Sequence, residues 1–111
     1  MTDNNISGPL PPHDRKMYEQ EYAHSADLFK RALDQYTKSD NPYQQAEFKD
    51  VMDKAMQILK ETASELMRGE LKKQNSQIEQ DYANFQKLPE DPEVISKLSQ
   101  DLDSAKNSID L

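Results

Sequence analysis

The sequence predicts an all-α fold: an elongated three-helix bundle made of an antiparallel helical hairpin with a long central helix, followed by a third, C-terminal helix. Three observations predict it. Glycine occurs only twice in 111 residues, and the interior of the chain is rich in Glu, Gln, Lys, Ala, Met and Leu, all good helix formers. Apolar residues recur at steps of three and four, the spacing of one helix face, and never alternate as a half-buried strand requires. Two pairs, Asn41-Pro42 and Asp91-Pro92, have the form of a capping residue followed by proline in the first turn of a helix.

Each element follows from its own residues. Residues 1–12 are a polar tail in which Pro9, Pro11 and Pro12 deny a regular helix, and the scarcity of large side chains predicts disorder. The first helix is expected over 14–38, capped by Asp14, with Tyr18, Tyr22, Ala26, Phe29, Ala32, Leu33 and Tyr36 on one face and charges opposite. The tyrosines make that face partly wet, because their hydroxyls want partners. At Ser39-Asp40-Asn41-Pro42, Asn41 can cap, Pro42 loses nothing by lacking an N–H, and Gln44 can reach back. A connection this short makes the flanking helices antiparallel.

The second helix meets no proline before Pro89. Continuous over 42–88, it would be about 68 Å long at about 1.5 Å per residue. Met52, Met56, Leu59, Ala63, Met67, Leu71, Gln74, Ile78, Tyr82 and Phe85 form a line with a mean step of about 3.67, that of a straight helix. Phe48, Val51, Ala55, Ile58, Thr62 and Leu66 widen that line in the first half only. Gly69 is the weak point, since glycine inside a helix costs ~1 kcal/mol against alanine. A tolerated glycine in one long helix is the expectation; a hinge that folds the second half back is the alternative. The C-terminal helix is expected over 92–109, capped by Asp91, with Ile95, Leu98, Leu102, Ala105 and Ile109 in one seam. The first and third helices would then lie end to end along the long one, which buries little per residue.

Composition points the same way. Leu, Ile, Val and Phe supply only 20 of 111 residues, just under the ~20 % at which disorder becomes a serious option. The net charge of −7 is too modest to force it. A single domain over 13–111 with a thin core is expected, completed by a homodimer or by a partner protein lying along the long helix. No run of 18 apolar residues is present, so no membrane span is expected. The start of the chain has neither basic nor apolar signal character, which fits a cytoplasmic protein or export by a route without a cleaved signal. The absence of cysteine excludes disulfides, thiol catalysis and thiolate metal sites.

Catalytic and metal-binding readings find little footing. His13 and His24 lack the repeated ligand pair that a metal site needs. The carboxylate pairs Asp50/Asp53 and Asp101/Asp103 fall on polar helix faces, whereas acid–base work needs a desolvated carboxylate at a pocket. No phosphate loop or nucleophile motif occurs. The expectation is therefore no enzyme activity and no cofactor. Basic residues never gather beyond adjacent pairs such as Arg15-Lys16, Lys30-Arg31 and Lys72-Lys73, which argues against nucleic acid. Residues 89–111 carry six acidic and two basic side chains, so the C-terminal helix is the acidic part.

The residues left to carry function are apolar. Phe48, Val51, Met52, Ile58, Leu59 and Leu66 are the expected hairpin and contact face, and Leu98, Leu102 and Ile109 the anchors of the C-terminal helix. Met17, Met52, Met56 and Met67 read as core filler or as an adaptable docking groove.

Two local resemblances accompany this. Tyr22, Ser25, Phe29, Ala32 and Leu33 resemble the second helix of a tetratricopeptide unit, with serine for the usual small alanine. No second repeat follows at a period of about 34 residues, so ordinary hairpin packing accounts for it. The run Leu88-Pro89-Glu90-Asp91-Pro92-Glu93-Val94-Ile95-Ser96-Lys97-Leu98 resembles the Pro-x-Asp-Pro turn of small bacterial type III secretion needle subunits. That resemblance implies a helical hairpin able to polymerise, in a setting whose chaperones are also short, acidic and helical. The functional expectation is a non-catalytic helical interaction protein: an adaptor, a chaperone-like factor or an accessory subunit. The alternatives are a self-assembling or exported subunit of a secretion apparatus, and a regulator that binds a basic partner through the acidic C-terminal helix.

Overall fold

The structure, a computed structural model, describes residues 12–66 and 68–109. It is all-α, with helices α1 (Pro12–Lys38), α2 (Pro42–Leu66), α3 (Gly69–Lys87) and α4 (Pro92–Asn107). The expected three-helix arrangement is therefore corrected to four helices. The break falls at the hinge candidate: Arg68 takes extended backbone angles, φ −94° and ψ 118°, and α3 runs back along α2. The described residues span 53 × 24 × 23 Å, too short for a continuous helix over 42–88 of about 68 Å.

The reversal does not require glycine for space, since a Cβ at Gly69 would meet nothing within 4 Å. Burial favours it. Beyond Gly69 a straight helix would have only the C-terminal helix to pack on. Folded back, α3 buries Leu71, Ile78 and Phe85 almost completely, each worth about 1.5–3 kcal/mol when fully buried. Interrupting a helix forgoes about four internal hydrogen bonds at a net ~1 kcal/mol each. The fold-back is the better balance.

Contacts across the bundle fix its topology. Tyr22 lies opposite Asn75, Phe29 opposite Tyr82 and Tyr36 opposite Phe85, so α1 and α3 run parallel across the core. Lys30 meets Asp103 and Asp27 meets Lys106, so α1 and α4 are antiparallel. Each helix is antiparallel to the next, in the up-down-up-down order of a four-helix bundle. The interior holds Phe29, Leu33, Met52, Leu59, Ile78, Phe85, Leu98 and Leu102 with several alanines. Edge-to-face contacts of Phe29 with Tyr82 at 5.0 Å and of Tyr36 with Phe85 at 5.4 Å join the two hairpins.

The caps behave as their residues require. Asn41 Oδ1 accepts the N–H of Tyr43 at 2.8 Å, and Asp91 Oδ1 accepts that of Glu93 at 2.9 Å. Gln44 reaches back to the Ser39 hydroxyl, which donates to it at 3.1 Å. Two boundaries shift. The first helix starts at Pro12, inside the segment expected to be tail, and α4 ends at Asn107, leaving Ile109 buried just past its end. Residues 1–11 of the expected tail, and Met67 of the apolar line, lie outside the described residues.

At the hinge, Arg68 ties three elements together. Its guanidinium donates to Glu19 Oε2 of α1 at 3.2 Å and to the Ser108 carbonyl after α4 at 3.1 Å. The N-terminal part of α1, the α2–α3 reversal and the end of α4 thus share one end of the bundle. The α1–α2 and α3–α4 turns share the other.

Candidate functional site

The expected contact residues sit in or against the core. Met52, Leu59, Leu66, Leu98, Leu102 and Ile109 are buried, Phe48 and Val51 are partly buried and pack on that core, and Ile58 is half-buried. The broad apolar arc of α2 is covered by α1 and approached by α3. Met52 is core, Met56 packs on its edge, and Met17 is half exposed.

A different surface stands out at the end that carries the two turns. The α1–α2 turn is held by its own polar side chains: the Asn41 N–H donates to Ser39 Oγ at 3.2 Å, and Gln45 Nε2 donates to the Ser39 carbonyl at 2.9 Å. Beside it, the α3–α4 turn is stiffened by two prolines and by the Asp91 N–H donating to the Leu88 carbonyl at 3.2 Å. Between the turns lies a cleft of about 560 Å³ lined by Tyr36, Asp40, Gln45, Pro89, Glu90 and Ile95 among others. Tyr43 is 83 % exposed and Leu88 53 % exposed at this same end. Asp40 and Glu90 form no ion pair with a described residue. The end therefore offers an apolar grip with a negative rim, set on two short turns.

The acidity of α4 is largely engaged within the fold. Asp103 meets Lys30 of α1, and Asp101 meets Lys97 one turn away at 2.9 Å. Inside the α3–α4 seam sits Asp81, its side chain only 3 % exposed and 3.9 Å from the Lys97 ammonium. Gln77 Nε2 donates to Asp81 Oδ1 at 3.1 Å, while Oδ2 is buried without a donor. Burial and a hydrogen bond with Asp101 push the Asp81 carboxyl up to about 6. For Asp101, burial acts upward, but the hydrogen bonds with Asp81 and Lys97 outweigh it and lower the carboxyl. Elsewhere in the core the Tyr22 hydroxyl donates to Asn75 Oδ1 at 2.8 Å, and the Tyr82 hydroxyl donates to Asp53. Burial raises both phenols, reinforced by the Glu79 charge at Tyr22 and by the Asp53 hydrogen bond at Tyr82.

Sequence reasoning passed over Asp81, and it placed Asp101 on a polar face. The correction has a visible signal. Asp81 lies three residues after Ile78 and four before Phe85; Asp101 lies three after Leu98 and four before Ala105. Both positions fall on the inward stripe of their helix. Asp50 pairs with exposed Lys54, whereas Asp53 is bonded to the Tyr82 hydroxyl and to Lys49. His24 is exposed, and among the described residues no group of three or more His, Asp or Glu side chains is placed to hold a metal ion. Among the described residues, no helix is long and apolar enough to cross a membrane. In comparisons with known proteins, no family profile, no curated protein and no solved structure matches this chain.

Proposed function

We propose that the protein is a non-catalytic helical interaction module, an adaptor, chaperone-like factor or accessory subunit, and that it engages its partner through the turn end of the bundle. One observation carries this reading. Of the three large apolar side chains most exposed among the described residues, two, Tyr43 and Leu88, stand at that end, beside the cleft floored by Tyr36 and Ile95. Large exposed apolar side chains grouped beside a cleft favour association, and tyrosine is enriched at such centres. The unpaired carboxylates of Asp40 and Glu90 suit a partner segment with a basic residue next to an apolar anchor.

A second reading has support in the α3–α4 turn. Pro89 to Pro92 joins two antiparallel helices, the role that the resemblance to needle subunits implies, so self-assembly through the same end is the alternative. The double variant Tyr43→Ser/Leu88→Ser separates the readings, because both side chains are exposed and their loss should leave helicity and Tm unchanged. Partner capture by the wild type that the double variant loses supports the adaptor reading. Growth in mass with concentration, measured by light scattering and abolished by the same variant, supports self-assembly. A wild type of invariant mass that captures the same proteins as the variant refutes both.

A further inference from the structure

Asp81 on α3 and Asp101 on α4 stand on either side of one ammonium, that of Lys97, and the Asp81 side chain is only 3 % exposed. Two carboxylates around one lysine, one of them buried, favour a proton on the pair, because burial and a neighbouring negative charge both disfavour the second charge. The position of that proton follows from the neighbours. Lys97 lies 2.9 Å from Asp101 and 3.9 Å from Asp81, so it favours the charge on Asp101. The oxygen of Asp81 that receives no donor, Oδ2, is buried, while Oδ1 already accepts from Gln77. A proton on Oδ2 turns an orphan acceptor into a donor.

We propose that Asp81 and Asp101 hold one proton between them, and that this proton is a pH-responsive clasp joining α3 to α4, closed in mildly acidic solution and released towards neutrality. The surrounding charges leave the pair this freedom. On α3 the side chains flanking Asp81, Gln77 and Asn84, are neutral, and Lys73 lines a cleft with Gln77 and Asp101. From α4 and its cap come Lys97, Glu93 and Asp91, the last two lining a small cleft that reaches Asp81. α1 directs Lys30 and Asp27 to Asp103 and Lys106 of α4, and α2 meets α3 through Asp53 on the Tyr82 hydroxyl. Above its ordinary range, ionised Asp81 leaves a buried carboxylate near a second one, while Lys97, and Lys73 across the cleft that Asp101 lines, favour the other partner.

The sign of the effect is fixed. A carboxyl raised in the folded protein stabilises it fully below the ordinary carboxylate range, and that contribution is lost as pH rises through the folded value, here about 6. The lowered Asp101 acts oppositely, but its contribution is lost only in stronger acid.

The test is urea unfolding of the full chain from pH 4.5 to 7.5 for the wild type, Asp81→Asn and the exposed control Asp40→Asn. One-proton linkage makes the ratio of unfolding constants, wild type over Asp81→Asn, rise by up to about tenfold per pH unit until it levels near neutrality. A rise of about tenfold or more over the range, absent from the ratio of wild type to Asp40→Asn, is the expected result. A ratio constant within about twofold overturns the clasp. Should Asp81→Asn fail to fold, carboxyl-carbon NMR titration of the wild type decides: an Asp81 midpoint well above that of Asp40 supports the proposal, and an equal midpoint ends it.

Discussion

Arg68 gives the sharpest test of the fold-back, because the two possible topologies predict effects of opposite sign. In the bundle its guanidinium bonds to Glu19 at 3.2 Å and to the Ser108 carbonyl at 3.1 Å. In a continuous helix over 42–88 the same residue would sit in mid-helix, where alanine has the higher propensity and Arg68→Ala would be neutral or slightly stabilising. Hydrogen bonds to a charged group contribute about 1.5–3 kcal/mol in well-buried settings. The Arg68 side chain is 37 % exposed and that of Glu19 14 % exposed, so solvent screening reduces the pair to about 1–2 kcal/mol together. Arg68→Ala should therefore lower stability by about 1–2 kcal/mol in urea unfolding, a fall of roughly 5–10 °C in Tm for a domain of this size. Arg68→Lys should lose part of this, because one compact ammonium cannot reproduce a fork that reaches two elements. A double-mutant cycle with Glu19→Gln should show coupling of about 0.5–1 kcal/mol. An Arg68→Ala variant as stable as the wild type, or additive effects in the cycle, would refute the placement of the α2–α3 reversal against α1 and α4.

The remaining expectations are direct. Spin labels on cysteines introduced at Tyr43 and Lys87, in a chain with no native cysteine, should report a distance no greater than the bundle width of 24 Å plus the label tethers; a continuous helix would place them about 66 Å apart, and a distance above about 50 Å would remove the fold-back. Leu59→Asp, which puts a charge at a fully buried position, should cost more than about 4 kcal/mol and abolish cooperative unfolding; unchanged helicity and melting would show that Leu59 is not in the core.

What was legible in the sequence was whatever local chemistry determines. Asn41-Pro42 and Asp91-Pro92 announced two helix starts, and the caps form with the predicted side chains. The stripes of α1 and α4 are buried largely as their spacing demands. The reversal at Arg68 was legible only as a weak point, because no proline or capping side chain marks it; α3 begins with no side-chain hydrogen bond at its N-cap. Its cause is non-local: the tyrosine-rich face of α1 supplies Tyr22, Phe29 and Tyr36 as partners for Asn75, Tyr82 and Phe85. Asp81 escaped notice for a related reason. An aspartate on an inward stripe looks like an interruption until a second one is found facing it.

The fold-back also changes what the shortage of Leu, Ile, Val and Phe implies. In a three-helix arrangement the shortage pointed to an outside surface needed to finish the core. In the bundle, the buried apolar residues include six alanines, two tyrosines and a methionine beside ten of those four types. Alanine lets helices approach closely and tyrosine brings a large apolar ring, so the core closes with residues that the first count leaves out. Polar groups complete it, through Tyr22 with Asn75 and Tyr82 with Asp53. A core that closes on itself does not require a partner. The argument for one therefore moves from the interior to the turn end, where Tyr43 and Leu88 remain exposed without a packing reason. Variants at these two kinds of position should consequently part company: substitutions in the core should change stability, and those at Tyr43 and Leu88 should change association alone.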